Sequence, residues 1–410
     1  MRLSLPNLAR GLGSTVVLTL GSACGGGGAA DDASGPTGGD ACGNAVGNGA
    51  QVIAGPTAPN SLDPDQVFRS LAIHASNPDI VYLGTERNGV VRSVDGGRTW
   101  TRLRNGLRHA AFGYPEVWDL ALSPTNPARA VAATADSPGP ATGDYPSSIA
   151  GVYATVDGGA TWARANCGLT NTSIAAVAFD RLNPGAVVIG VSAGRATFSA
   201  FAGQFFPGGL FRSTDEARTW TPVGPSGSER GTYWQIATGS TGGTAFMLTY
   251  SLDPDAPTQS RGFLRSQDAG ATWTALPNAL SGRYIAEFDV SADGRVIYAS
   301  ERNPFRLHRS LDGGANWQVL NAPGIEPVAV SPGDAQIVLV HGSQGIFRSA
   351  NGAATWRLVQ PTTRRVDDFE FAPSDARVVY AATRGYDVYR SDDAGDTWRL
   401  LVNLRQDVLR

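Results

Sequence analysis

Short apolar runs alternate with polar positions along most of the chain. In the C-terminal stretch, Phe369 and Phe371 alternate with acids, and a Pro373-Ser374-Asp375 turn follows. Next come the run Val378-Val379-Tyr380, a glycine turn, the run Val388-Tyr389-Arg390, and a last run from Trp398 to Val402. Four period-two runs separated by turns predict four short strands. The stretch FDVSADGRVIYASERNPFRLHRSLDGGANWQVL reads the same way. Between its third and fourth runs each unit carries one phrase, Ser-x-Asp-x-Gly-x-Thr-Trp. RSVDGGRTW, ending at Trp100, is the first copy and RSDDAGDTW, ending at Trp398, the last.

The phrase occurs seven times, with its acidic position at Asp95, Asp157, Asp215, Asp268, Asp312, Asn351 and Asp393. Gaps between these positions are 62, 58, 53, 44, 39 and 42 residues, and a period near forty implies a stacked or circular array. Four strands per period match the blades of a propeller. The expected fold is all-β: a seven-bladed β-propeller with four-stranded antiparallel blades, its repeats running from about residue 65 to about 405. The Asp sits in a tight turn, where its carboxylate accepts backbone N–H groups and the Thr hydroxyl. The Gly takes positive φ at low cost, and the Trp fills the space between blades while its N–H seeks a carbonyl. One hard ligand per copy argues against a metal loop. Each copy is therefore read as a fastener. Six copies are preceded by Arg (Arg92, Arg212, Arg265, Arg309, Arg348 and Arg390), whose regular recurrence is also read as structural. The last blade reads as supplying its own fourth strand, which leaves ring closure open between a ring without strand exchange and one with Gln51–Ala54 added at an edge.

These phrases resemble Asp-box (BNR) repeats, found in sialidases, two-propeller xyloglucanases, sortilin-type receptor domains and the propeller assembly factor of photosystem II. The resemblance covers nearly the whole body. It implies the propeller, but no one chemistry, because these families share the box and not the reaction. A sialidase needs three Arg around the substrate carboxylate, a Tyr–Glu nucleophilic pair and a Phe/Tyr-Arg-Ile-Pro stretch. Phe68-Arg69-Ser70-Leu71 keeps only the first two residues of that stretch. Xyloglucanases cleave between two propellers, and this chain has repeats for one.

The N-terminus changes the picture of location. Arg2 and Arg10 precede a short apolar run, Leu12–Leu20, then Gly21-Ser22-Ala23 and Cys24. This is read as an export signal over 1–23. It resembles a bacterial lipobox, which implies lipidation of Cys24 and an exported, membrane-anchored lipoprotein on the periplasmic or cell-surface side. Ordinary secretion is the alternative. Residues 24–50 are rich in Gly, Ala, Asp and Ser and are expected to form a flexible tether before the propeller at 51–410. Cys42 and Cys167 remain, and either pair or stay as thiols.

Composition fits a folded body: 42% apolar, 17% charged, 51 Gly. All 33 basic residues are Arg, and the net charge is −3. A mildly acidic body argues against nucleic acid as partner. No metal-spaced His cluster or cofactor motif occurs; His74, His109, His308 and His341 fall on different repeats. The octets and the first-to-second turns share one face, so a site is expected on the other. That face carries the long loops 105–117, 136–150, 194–209 and 253–262 with their aromatics. Ser70, Asp119, Ala176, Gln235, Glu287, Pro327 and Asp368 enter the innermost strands and should ring the axis there. Trp118 and Arg69 are their neighbours, and Glu86, Arg87, Asp136, Arg195, Glu301, Arg302, His341 and Arg384 end the second strands. Carboxylates in such a ring suit general acid/base work on a glycoside, and arginines suit a carboxylate-bearing ligand.

Two functions follow as expectations. The first is a non-catalytic, monomeric binding module for a protein or polysaccharide, touching membrane through its anchor alone. The alternative is a glycoside hydrolase at the loop-rich mouth, with Asp119, Glu287 and Asp368 as candidate carboxylates.

Overall fold

The computed structural model describes residues 68–109, 114–135, 149–195, 204–225, 231–239, 244–250, 260–276 and 280–404. Cys24, Cys42, Gln51–Ala54 and Asp136 lie outside them. Seven four-stranded antiparallel sheets follow one another, each built from consecutive strands ordered from the inside outward. Blade 7 shows the plan: Val366–Phe371 innermost, then Val379–Thr383, Asp387–Ser391 and the outer strand Arg399–Asn403. Blade 3 adds a small ribbon, Gly194–Arg195 paired with Phe205–Phe206, between its second and third strands.

The second strands are buried on both faces. Ala130–Ala135, Val187–Val191 and Val379–Thr383 contain only buried residues. Runs of Val, Ile and Ala suit a strand sandwiched between neighbouring sheets, where alternation would put a polar residue in the core. Each apolar cluster joins one blade to the next. Val131 and Val152 of blade 2, for example, pack with Val177, Ile189 and Phe211 of blade 3.

The octets sit in these seams. Each Trp joins the cluster between its own blade and the preceding one: Trp100, Trp162, Trp220, Trp273, Trp317, Trp356 and Trp398 in turn. Four indoles donate to a carbonyl of their own turn, as Trp100 does to Gly97 at 3.1 Å. Trp220 and Trp356 reach back to Ala165 and Asn321 of the preceding blade. The preceding arginines point forward. Arg92 and Arg309 donate to carbonyls of the next octet, Gly158 and Gly352, and Arg212 and Arg348 do so to Ala269 and Ala394 at 2.9 and 2.8 Å.

Among the described residues, blade 7 meets blade 1 by these same devices. Arg390 donates to Asp79 and to the Tyr380 hydroxyl, both at 2.7 Å, and Tyr380 donates to the Pro78 carbonyl at 3.1 Å. Val378, Tyr380 and Val388 share a cluster with Leu71, Val81 and Val91.

Candidate functional site

Antiparallel order puts the octets and the turns between first and second strands at one end of the ring, and the other connections at the opposite mouth. Near that mouth the innermost strands carry a register shift, for example between Val117 and Asp119, Tyr233 and Gln235, and Val366 and Asp368. The extra residue at each shift is Trp118, Trp234 or Asp367. Bulges re-aim side chains, here toward the mouth. A cavity of about 630 Å³ runs along the axis. Of the seven residues expected to ring it, Ser70, Asp119, Gln235, Glu287 and Asp368 line it, whereas Ala176 and Pro327 do not.

The throat carboxylates hold the ring together. Asp119 accepts the N–H of Val177, in the next blade, at 2.9 Å and that of Leu120 at 2.8 Å. Asp368 accepts the N–H of Leu71 at 2.8 Å, which closes blade 7 on blade 1. Asp289 takes Val330 and Val290, both at 2.7 Å, and Gln235 brackets Phe288 through its donor and acceptor at 2.9 and 3.0 Å. Asp119 and Asp368 thus line the cavity while each gives one oxygen to an inter-blade bond. Glu287 has a lighter tie, to the Val328 N–H. Burial pushes Asp119 and Asp289 up to about 7, against the lowering effect of their N–H partners. Burial, then the nearby Asp368 and Glu326, holds Glu287 well above the usual carboxyl range. Asp368 and Glu370 are raised the same way, chiefly by burial. Arg181, after the innermost strand of blade 3, faces Glu370 and Asp289.

Above the throat, blades 5 to 7 carry an ionic arc. Arg302 grips Glu326 with two prongs at 2.7 and 2.5 Å and meets the Tyr284 hydroxyl at 3.2 Å. Arg365 lies 3.3 Å from Glu326 and 3.9 Å from Asp367, and Arg384 lies 3.6 Å from Asp367. On the blade 2 to 4 side, Trp118 meets Trp234 edge to face, ring centres 5.0 Å apart, and donates to Glu116 at 3.0 Å. Trp234 is 40% exposed.

The remaining expected residues scatter. Arg87 pairs with Glu116 at 3.3 Å, Glu86 is half-buried in the neighbouring turn, and Arg195 is exposed on the blade 3 ribbon. Arg69 lies in the innermost strand of blade 1. Glu301, expected at the rim, is buried instead, between His308 at 2.8 Å and Arg283 at 3.0 Å. Burial holds His308 below the ordinary histidine range despite that carboxylate. His341 is half-buried and also lowered by burial, then by Arg365. Cys167 is disulfide-bonded, and its partner lies outside the described residues. Among the described residues no cluster of three His, Cys, Asp or Glu could hold a metal, and no helix is long and apolar enough to cross a membrane.

Sequence reading missed Trp234, Asp289, Glu326, Arg365, Asp367 and Glu370. Asp289 and Glu370 had a signal, being two residues beyond Glu287 and Asp368 on the same strand face. Asp367 and Trp234 reach the cavity through bulges, which period-two counting does not register.

No family model matches the chain. It is similar to the xyloglucanase Xgh74A of Acetivibrio thermocellus, 22% identical over 336 residues, covering 70% of this chain and 37% of that protein. A xyloglucanase of Paenibacillus sp is 23% identical over 329 residues, covering 70% and 30%. The chain thus spans about a third of the relatives it matches. Among solved structures, an ancestral GH74 enzyme superposes with a TM-score of 0.60 at 17% identity over 84% of this chain and 48% of that one. YCF48 from Cyanidioschyzon merolae gives 0.51 at 14% identity over 81% and 95%. The fold is therefore that of a seven-bladed propeller with GH74 enzymes and YCF48 among its structural neighbours, and its matched sequence relatives are glycoside hydrolases.

Proposed function

We propose that the protein acts on polysaccharide at the loop-rich mouth as a glycoside hydrolase. Glu287 is the proton-donating acid and the Arg302-paired carboxylate of Glu326 its partner. The observation that carries this is their contrast within one cavity. Glu287 is desolvated, and burial raises its proton affinity, while Glu326 is anchored by a guanidinium. A carboxyl group whose surroundings raise its proton affinity suits the acid role. Glu287 would protonate the departing glycosidic oxygen, and Glu326 would take the proton of an attacking water. The Trp118–Trp234 pair offers an aromatic edge for a sugar ring. Similarity to xyloglucanases supports hydrolysis over binding alone, and the octets fit Asp-box repeats. Export and a lipid anchor at Cys24 belong to this proposal; they would put the mouth where extracellular polysaccharide is met.

Reducing-end release from xyloglucan and a panel of other glucans tests the reading. Glu287→Gln and Glu326→Gln should each lower the rate by about 100-fold or more while leaving glycan binding in place. Rates unchanged in both variants would overturn the assignment. A second reading, recognition without cleavage, is favoured by the use of Asp119 and Asp368 as inter-blade ties. It is the result if wild-type protein binds glycan and releases no reducing ends.

A further inference from the structure

We infer that the blade 5 to 7 side of the mouth is a subsite for carboxylate groups, so that the polysaccharide taken is acidic, of the polyuronate class. This rests on the reading of the mouth as a glycan site. Three guanidiniums line the same cavity: Arg302 ends a strand of blade 5, Arg365 precedes the innermost strand of blade 7, and Arg384 follows its second strand. They stand 38%, 42% and 51% exposed, whereas their counter-charges, Glu326 and Asp367, are 11% and 7% exposed. The positive layer therefore faces outward over a negative one, three charges against two. Arg302 is occupied by its two-pronged grip on Glu326. Arg365 and Arg384 have looser pairings: Arg365 donates a long hydrogen bond to Glu326 at 3.3 Å, and the Arg384–Asp367 and Arg365–Asp367 approaches of 3.6 and 3.9 Å exceed hydrogen-bond length. Each guanidinium presents planar N–H pairs that match a carboxylate. The acidic throat below would repel an anion, and Arg181 is the cation facing Glu370 and Asp289 there. An anionic chain therefore lies across the mouth and does not enter the axis.

Calorimetric binding of polygalacturonate, of its fully methyl-esterified form and of xyloglucan tests this. The free acid should bind at least about tenfold more tightly than the ester, with an advantage that shrinks as salt rises. Arg365→Gln and Arg384→Gln should each remove most of that advantage. Arg399→Gln, an exposed charge on the outer strand of blade 7, should preserve it. Melting curves of all three variants show whether each is folded. Equal binding of acid and ester, or an acid preference that survives both variants, overturns the inference. If xyloglucan binds while polygalacturonate has no advantage, the acidic subsite falls and the glycan site stands. If none of the three binds, both fall.

Discussion

Within the octet a single side chain does the work of a turn's backbone. Asp215 accepts the Ser213 hydroxyl at 2.7 Å and the Thr219 N–H at 2.9 Å on one oxygen, and the Thr219 hydroxyl at 2.6 Å on the other. Such bonds favour the charged form. The Thr99 hydroxyl and N–H hold Asp95 down at about 2, and the Asn316 N–H and side chain do the same for Asp312. Charge is nevertheless dispensable to the geometry. Asn351 keeps the Thr355 N–H at 2.9 Å and reverses the hydroxyl bond, donating to Thr355 at 2.9 Å. Asp215→Ala should therefore cost about 1–2 kcal/mol and Asp215→Asn about 0.5 kcal/mol, because only the first leaves the Thr219 N–H and the Ser213 hydroxyl unpaired. Denaturant midpoints for the two variants check this; equal losses would mean that the carboxylate's charge, and not its accepting geometry, is what matters.

Among the described residues, side chains and a few backbone bonds, such as Trp162 N–H to the Asn105 carbonyl at 2.8 Å, join neighbouring blades. An arginine points forward into the next octet, a tryptophan packs back on the preceding sheet, and at several seams a throat Asp, Gln or Glu caps the next innermost strand. The seam between blades 7 and 1 bears the most consequence, because ring closure depends on it. Arg390 there meets Asp79, Asp392 and the Tyr380 hydroxyl. At the blade 3 to 4 seam, Arg212 meets a neutral carbonyl. Arg390→Ala should cost about 2 kcal/mol and Arg212→Ala about 1 kcal/mol. Urea unfolding of both variants tests the order. A larger loss at Arg212 would show that closure relies on the apolar cluster and not on the arginine.

The whole molecule balances two sets of acids whose proton affinities move in opposite directions. In the throat, burial lifts Asp119 and Asp289 to about 7, and Glu287, Asp368 and Glu370 rise as well. The folded state then binds more protons than the unfolded chain between about pH 4 and 7. Stability from these groups is fully present below about 4 and declines as pH rises toward and beyond 7. Octet acids such as Asp95 and Asp312, held at about 2, contribute stability above about 4 that is lost as pH falls toward 2. The melting temperature should accordingly peak near pH 4–5 and be lower at pH 8. Calorimetric scans across that range check it, and a flat or rising profile from pH 5 to 8 would mean that the throat carboxylates ionise without cost in the fold.

The chain's pattern alone determined the blade count, the four-strand unit and the octets as fasteners. These are local and repeated: a turn needs its acceptor at a set spacing, and a two-faced sheet needs its apolar runs, wherever the unit falls in the ring. The candidate site was legible only in part. Glu287, Trp118, Arg302 and Arg384 could be placed at the mouth by counting along strands. What that counting could not tell was that Asp119 and Asp368 each give one oxygen to the next blade, that Glu301 is buried under His308 and Arg283, or that Glu326, Arg365, Asp367 and Trp234 complete the rim. Those outcomes depend on bulges and on which innermost strand lies beside which. Partners about 40 to 300 residues apart meet only once the ring has closed, and that closure decides whether a carboxylate serves the scaffold or the cavity.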